Sequence, residues 1–250
     1  PDGEIYGLNI RFPMNYENSA LQVASGKPIH ISTQNIRYGA LSVANGELDL
    51  FGRYPNTMKN PLTLRNVKLS LFDGVLTVPQ LSFPQSKMAT LSFTNIDLAQ
   101  VLALAQYNQV TLTGRANAVM PFWLGHKECL ICNGTLEQVG NVSIKLTDEM
   151  VKGLKKGGWT ENILVDLLKE MELQNSHAAV TLDPKGQMTL RASISGFNPT
   201  KRTNNPITLN YTHQENMFEL WNMIDYGSQF EQNLQYKLYK QLDKTNDKTP

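Results

Sequence analysis

The sequence predicts a mainly β protein: an antiparallel sheet with one apolar face, a few inserted helices, and further helices toward the C-terminus. Three observations predict it. Apolar residues alternate at period two through the first 120 residues, turn dipeptides separate the runs, and helical periodicity is confined to short stretches with recognisable caps. The 250 residues hold 23 Lys+Arg against 22 Asp+Glu, a net charge of +1 that offers no broad basic field for nucleic acid. Hydrophobic residues make up 41% and charged residues 18%, which argues against disorder. No apolar run approaches the ~18–20 residues that span a bilayer. The chain opens Pro1-Asp2-Gly3 and is expected to be a piece of a longer protein.

The strands follow in order. Leu8, Ile10 and Phe12 share a parity, as do Leu62 and Leu64, then Val67, Leu69 and Leu71, then Ala89, Leu91 and Phe93. Side chains two apart on a strand face one side, so each run has one apolar and one polar face. Leu112 falls in a further run over residues 111–120. Asn45-Gly46, Asp73-Gly74 and Asn133-Gly134 suit tight hairpins, because these residues tolerate positive φ. Asp183-Pro184-Lys185-Gly186 joins the runs 178–182 and 188–194. A meander of about a dozen strands is expected.

A helix is expected over residues 96–105, with Asp97 near its start. Thr147-Asp148-Glu149 opens a second, which ends at Lys155-Lys156-Gly157 with charges that suit the helix dipole. Thr160 opens a third, with Ile163, Leu164, Leu167, Leu168 and Met171 on one face, completing a helical insertion over 147–172. Thr212-His213-Gln214-Glu215 has capping-box spacing and starts C-terminal helices over 213–242, with a frayed tail over 243–250. No linker divides the chain, so residues 1–250 are expected to be one β unit.

A sheet with one apolar face must cover that face. The first 95 residues hold almost no helix, so two solutions remain. The faces meet in a sandwich or closed barrel, the commoner outcome of such a pattern, or a curved sheet leaves its inner face open as a trough for an apolar ligand. Signs of catalysis are scarce. His30, His126, His177 and His213 form no His-x-x-x-His pair, and no nucleophile elbow, P-loop or dinucleotide fingerprint is present. No enzymatic activity, metal or cofactor is therefore expected. Cys129-Leu130-Ile131-Cys132 leaves three readings open: a local disulfide, two buried thiols, or, with His126, a metal or redox site that would lack a fourth ligand. Lys201-Arg202 is read as a solvated loop.

The segment from Gly196 is the most distinctive. It reads Gly196-Phe197-Asn198-Pro199, then Pro206-Ile207-Thr208-Leu209-Asn210-Tyr211-Thr212-His213-Gln214-Glu215-Asn216, with Tyr226-Gly227 further on. This stretch resembles the C-terminal part of YdbH-like proteins, of the AsmA-like group that includes TamB and YhdP. Asp97-Leu98 through Leu104, residues 111–120 and Pro121-Phe122-Trp123-Leu124 are similar to the same family. Cys129-Leu130-Ile131-Cys132 departs from it, and no family role attaches to that motif.

The resemblance implies a U-shaped β groove with an apolar inside. It implies a periplasmic bridge, anchored in the inner membrane of a Gram-negative bacterium outside this segment, that carries phospholipid between the two membranes. The implied partners are a small outer-membrane lipoprotein of the YnbE type, which adds strands at the C-terminal end, and a periplasmic protein of the YdbL type. The expected groove lining is Leu8, Ile10, Phe12, Leu62, Leu64, Val67, Leu69, Leu71, Ala89, Leu91, Phe93 and Leu112. The expected edge strand for the lipoprotein is Ile207, Thr208, Leu209, Asn210 and Tyr211. The competing expectation is a closed β module for outer-membrane assembly that carries nothing.

Overall fold

A computed structural model describes residues 3–17, 20–23, 26–39, 41–52, 57–104, 110–149, 151–152, 169–200 and 206–218. The strands are β1 (Gly3–Tyr6), β2 (Asn9–Arg11), β3 (Met14–Glu17), β4 (Ala20–Val23), β5 (Ile29–Tyr38), β6 (Leu41–Phe51), β7 (Leu62–Leu71), β8 (Gly74–Phe83) and β9 (Ala89–Asp97). Helix α1 (Leu98–Leu104) follows, then β10 (Val110–Phe122), β11 (Ile131–Leu146), β12 (Glu170–Leu173), β13 (His177–Leu182), β14 (Gln187–Phe197) and β15 (Ile207–Asn216). Thirteen strands form one antiparallel sheet in the order β1-β5-β6-β7-β8-β9-β10-β11-β12-β14-β13, with β2 beside β5 and β15 beside β14. Strand β11 also pairs with β13, and β3 pairs with β4 separately. The described residues are therefore mainly β, dominated by one thirteen-stranded sheet. The two-sheet sandwich is overturned, and the end strands β1 and β15 do not pair with each other among the described residues.

The apolar stripe changes parity along the strands, and the backbone shows why. In β7 it passes from Leu64 to Val67 across Asn66, whose φ is 52°. In β9 it passes from Phe93 to Ile96 across Asn95, at φ 57°. Asn45 in β6 and Asn133 in β11 have φ of 48° and 55°. Ladder registers shift across all four positions. A residue in the left-handed region inserts a β-bulge, re-aims the following side chains and strengthens the local twist. Each bulge offsets one strand against a neighbour and bends the sheet locally; at Asn66 the shift is on the β6 side, while the β7–β8 register runs through unbroken.

Two hairpin expectations fail for this reason. Asn45-Gly46 and Asn133-Gly134 lie inside β6 and β11, because the positive φ that suits a turn equally suits a bulge. Gly46 is needed there: a Cβ would come within 2.7 Å of the Thr33 side chain. The β7–β8 hairpin does form, but its positive φ values fall on Phe72 and Asp73, one position earlier than Asp73-Gly74. Phe72 tolerates this because its ring packs against the core. The turn at Asp183 forms as expected, closed by Asp183 N–H donating to the Gln187 carbonyl at 3.0 Å.

Helix α1 starts at Leu98, with Ile96 still in β9, and the Asp97 carboxylate caps it by accepting from the Ala99 and Gln100 amides at 2.8 and 3.3 Å. The capping-box reading of Thr212–Glu215 is overturned. These residues lie in β15, laddered against Met188–Arg191, because pairing with β14 outcompetes a local cap. Met171 belongs to β12, opposite Ile144, and not to a helical face. One helical bond, Val151 N–H to the Thr147 carbonyl at 3.0 Å, marks the start of the second expected helix. The remainder of that insertion, Lys201-Arg202 and the helices expected after Phe218 lie outside the described residues.

Candidate functional site: an apolar row on an open sheet

Residues directly opposite in an antiparallel ladder share a face. Following the pairs strand by strand gives one apolar row. Leu69 faces Leu76, Leu76 faces Phe93, and Phe93 faces Ala118. The row continues from Ala118 through Leu136, Ala178 and Ala192 to Tyr211. The row one residue over is Lys68, Thr77, Ser92, Val119, Thr135, Ala179, Arg191 and Thr212. One face of the sheet therefore carries a continuous apolar track across eight strands, and the other is largely polar.

Toward the N-terminal end the track is carried by Ile10 opposite Ile31 and Ile31 opposite Leu48, then by Leu50 opposite Leu64 and Leu64 opposite Leu81. Leu8 and Phe12 flank β2 and are 54% and 55% exposed. Leu62, Leu64, Val67, Leu69, Leu71, Leu91, Phe93 and Leu112 are half-buried, and Ala89 is buried. Leu112 faces Ile144, and Ala89 faces Phe122. Buried apolar side chains are few among the described residues, and the main cluster is Ile96, Leu98, Ala116 and Val142. Helix α1 makes that cluster. Leu98 and Val101 seat on β9 and β10, so Ala116 has no exposed surface at all.

The sequence missed Leu76, Ala118, Leu136, Ala178 and Ala192. The alanines are weak apolar signals, and only the ladder register shows that they line up. A cavity of about 480 Å³ is lined by Leu136, Ala178, Ala192 and Tyr211 together with residues of the flanking rows, Glu137, His177, Arg191 and Thr212 among them. At its far side the Tyr211 ring stacks on His213 at a centroid distance of 6.1 Å, and His213 Nε2 lies 3.3 Å from Glu215 Oε2. Strand β15, with Ile207, Leu209 and Tyr211 on the apolar face and Thr208 and Asn210 on the other, is paired only to β14 among the described residues.

Polar contacts brace the sheet. His30 Nδ1 lies 3.0 Å from Asp49 Oδ1, and Asn66 Nδ2 donates to Asp49 Oδ2 at 2.8 Å. These bonds, His30 first, hold the Asp49 carboxyl below its ordinary range. Arg115 donates to the carbonyls of Asp73 and Asn95 at 3.0 and 2.8 Å, tying the β7–β8 turn to the β9 bulge. Cys129, in the β10–β11 loop, and Cys132, at the start of β11, are joined as a disulfide with Cα atoms 5.4 Å apart. His126 Nδ1 sits 3.5 Å from Cys129 Sγ, so the three potential ligands do lie together, with both sulfurs engaged in the bridge. No described helix is long and apolar enough to cross a membrane.

An antiparallel sheet with a continuous apolar track, most of it covered by no other layer among the described residues, has the makings of a β groove. A sequence model of the YdbH-like family, described as "Intermembrane phospholipid transport protein YdbH", matches residues 1–239. The chain belongs to that family. It is similar to the "Probable phospholipid transport protein YdbH" of Escherichia coli (strain K12), with 26% identity over 227 residues. That match takes in 91% of this chain and 26% of the relative, so the chain spans about a quarter of the curated protein's length. No solved structure matches the chain.

Proposed function

We propose that this chain is a segment of a periplasmic conduit that carries phospholipid between the inner and outer membranes, and that the apolar row from Leu69 to Tyr211 is the surface on which the acyl chains ride. The row carries the reading. Each CH₂ exposed to water costs about 0.8 kcal/mol, so two chains of about sixteen carbons cost on the order of 25 kcal/mol. An apolar trough removes most of that cost while the head group stays wet. Transport then needs no chemistry, and a row of Leu, Phe and Ala without charges offers no deep well to trap a lipid. Antiparallel strands at ~4.8 Å make a sheet of this size roughly 55–60 Å long, one section of a longer bridge.

The family relationship supports the same reading, with the longer protein anchored in the inner membrane outside this segment. Strand β15, which among the described strands pairs with β14 alone, fits strand addition by a small outer-membrane lipoprotein of the YnbE type, since the last strand of a sheet can template a partner strand. A YdbL-type periplasmic protein is the further partner.

Mass spectrometry of lipid carried by the purified protein tests the conduit. Wild type is expected to retain phospholipid, and Leu69→Asp with Leu91→Asp to lose most of it, since each aspartate places a charge on the track. Undiminished retention contradicts the reading. For the edge, Leu209→Pro is expected to abolish binding of the lipoprotein strand and leave the upstream sheet folded. Unchanged binding assigns the partner elsewhere.

A further inference from the structure

The sheet has two long rims, and their turns differ in charge. One rim is formed where β5, β7, β9, β11 and β14 begin and where β6, β8, β10 and β13 end. Its described turns, residues 26–28, 57–61, 84–88, 123–130 and 183–186, each hold one lysine: Lys27, Lys59, Lys87, Lys127 and Lys185. All five are exposed, and none forms an ion pair with a described carboxylate. Glu128 and Asp183 adjoin the last two, so the stretch from Lys27 to Lys87 is the purely cationic part. Over the same strands the opposite rim holds Gly39, the Phe72-Asp73 turn and the uncharged α1, with no lysine or arginine in them.

Local hydrogen bonds build the cationic turns. Thr57 and Asn60 exchange backbone bonds at 3.0 Å, presenting Lys59. Gln85 bridges the Phe122 carbonyl and the Leu124 amide at 2.9 and 2.7 Å, fixing the turn that bears Lys87. Lys27, Lys59 and Lys87 converge with Arg65 on a cavity of about 1040 Å³ that no described carboxylate lines. The cavity straddles the rim. Ile29, Leu50 and Leu62 reach it from the apolar face, while Thr63, Arg65 and Ser82 reach it from the polar face. Apolar wall, cations and hydroxyls around one space match an amphiphile whose polar end is an anion.

We propose that this rim cavity, at Lys27, Lys59, Lys87 and Arg65, binds the phosphate of a phospholipid whose chains lie on the adjoining apolar face. The inference rests on the conduit reading and adds to it where the head group travels and which rim it follows. Turns on one rim recur every second strand, about 10 Å apart, close to the distance over which salt screens a charge. A phosphate leaving one lysine therefore enters the reach of the next. Exposed ion pairs are individually weak, so the line guides without trapping.

The test compares two lipids with identical chains, phosphatidylglycerol and diacylglycerol, offered from vesicles to the delipidated protein and quantified after reisolation. Lys27→Ser, Lys59→Ser and Lys87→Ser together are expected to lower phosphatidylglycerol retention about five- to ten-fold and leave diacylglycerol unchanged. The three corresponding arginine substitutions are expected to restore it, and circular dichroism to show the same sheet throughout. Excess inorganic phosphate is expected to displace no lipid; displacement would assign the cavity to a free anion and overturn the proposal. Retention of both lipids at wild-type levels, or an equal fall for both, also overturns it. A wild type that takes up neither lipid removes the conduit reading, and the head-group site with it.

Discussion

The sheet treats its apolar face in two ways. Across β5 to β8 no described element lies over the track, and Leu48, Leu50, Leu64, Leu69 and Leu81 stay half-exposed, while Leu76, next to β9, is buried. Across β9 to β12 helix α1 lies over part of it, and Ile96, Ala116, Val142 and Met171 are buried. Both regions have the same strand chemistry and the same asparagine bulges. The difference is seven residues of helix, capped by Asp97 and held by Leu98 and Val101. Folding a β groove therefore does not demand a filled core everywhere. A local covered patch anchors the sheet, and the remaining apolar surface is free for another occupant.

That contrast breaks most readily at Leu98. Leu98→Ala removes a buried side chain and is expected to cost about 2–4 kcal/mol, read as a lowered denaturation midpoint. Amide exchange should rise first in β9 to β11 and leave β5 to β8 near its original rate. A uniform rise would mean that the two regions are one cooperative unit. A smaller effect separates the regions from the other side. Asp49, on β6, has its folded pKa lowered by His30 and Asn66. Its contribution is fully present above the unfolded carboxyl value of about 3.9 and is lost as pH falls through the lower folded value. Acidification below about pH 4 should therefore loosen the β5–β6–β7 ladders, seen as faster exchange there, while Asp49→Asn removes this local step.

Much of this was legible in the sequence because alternation is a direct record of a two-faced strand. Leu62, Leu64, Val67, Leu69 and Leu71 read as one lining, and the ladder places them on β7. The parity break between Leu64 and Val67 was visible too, but its cause was not, since an asparagine at positive φ reads equally as a turn. Hence Asn45-Gly46 and Asn133-Gly134 were expected at hairpins and are found within strands. The C-terminal track was least legible. Ala118, Ala178 and Ala192 are weakly apolar, and their alignment depends on a chain of registers that runs from Ala118 through Leu136 and Ala178 to Ala192. Thr212–Glu215 misled because a capping box is a local pattern and strand pairing is not.

The measurement closest to the central claim uses neighbours on one strand. A photo-crosslinking amino acid at Leu69 sits on the apolar row, and one at Lys68 sits on the polar row. With phospholipid present, labelling at position 69 is expected to capture lipid and labelling at position 68 to capture none. Equal capture at the two positions would contradict the account, because it would mean that lipid does not distinguish the two faces of this sheet.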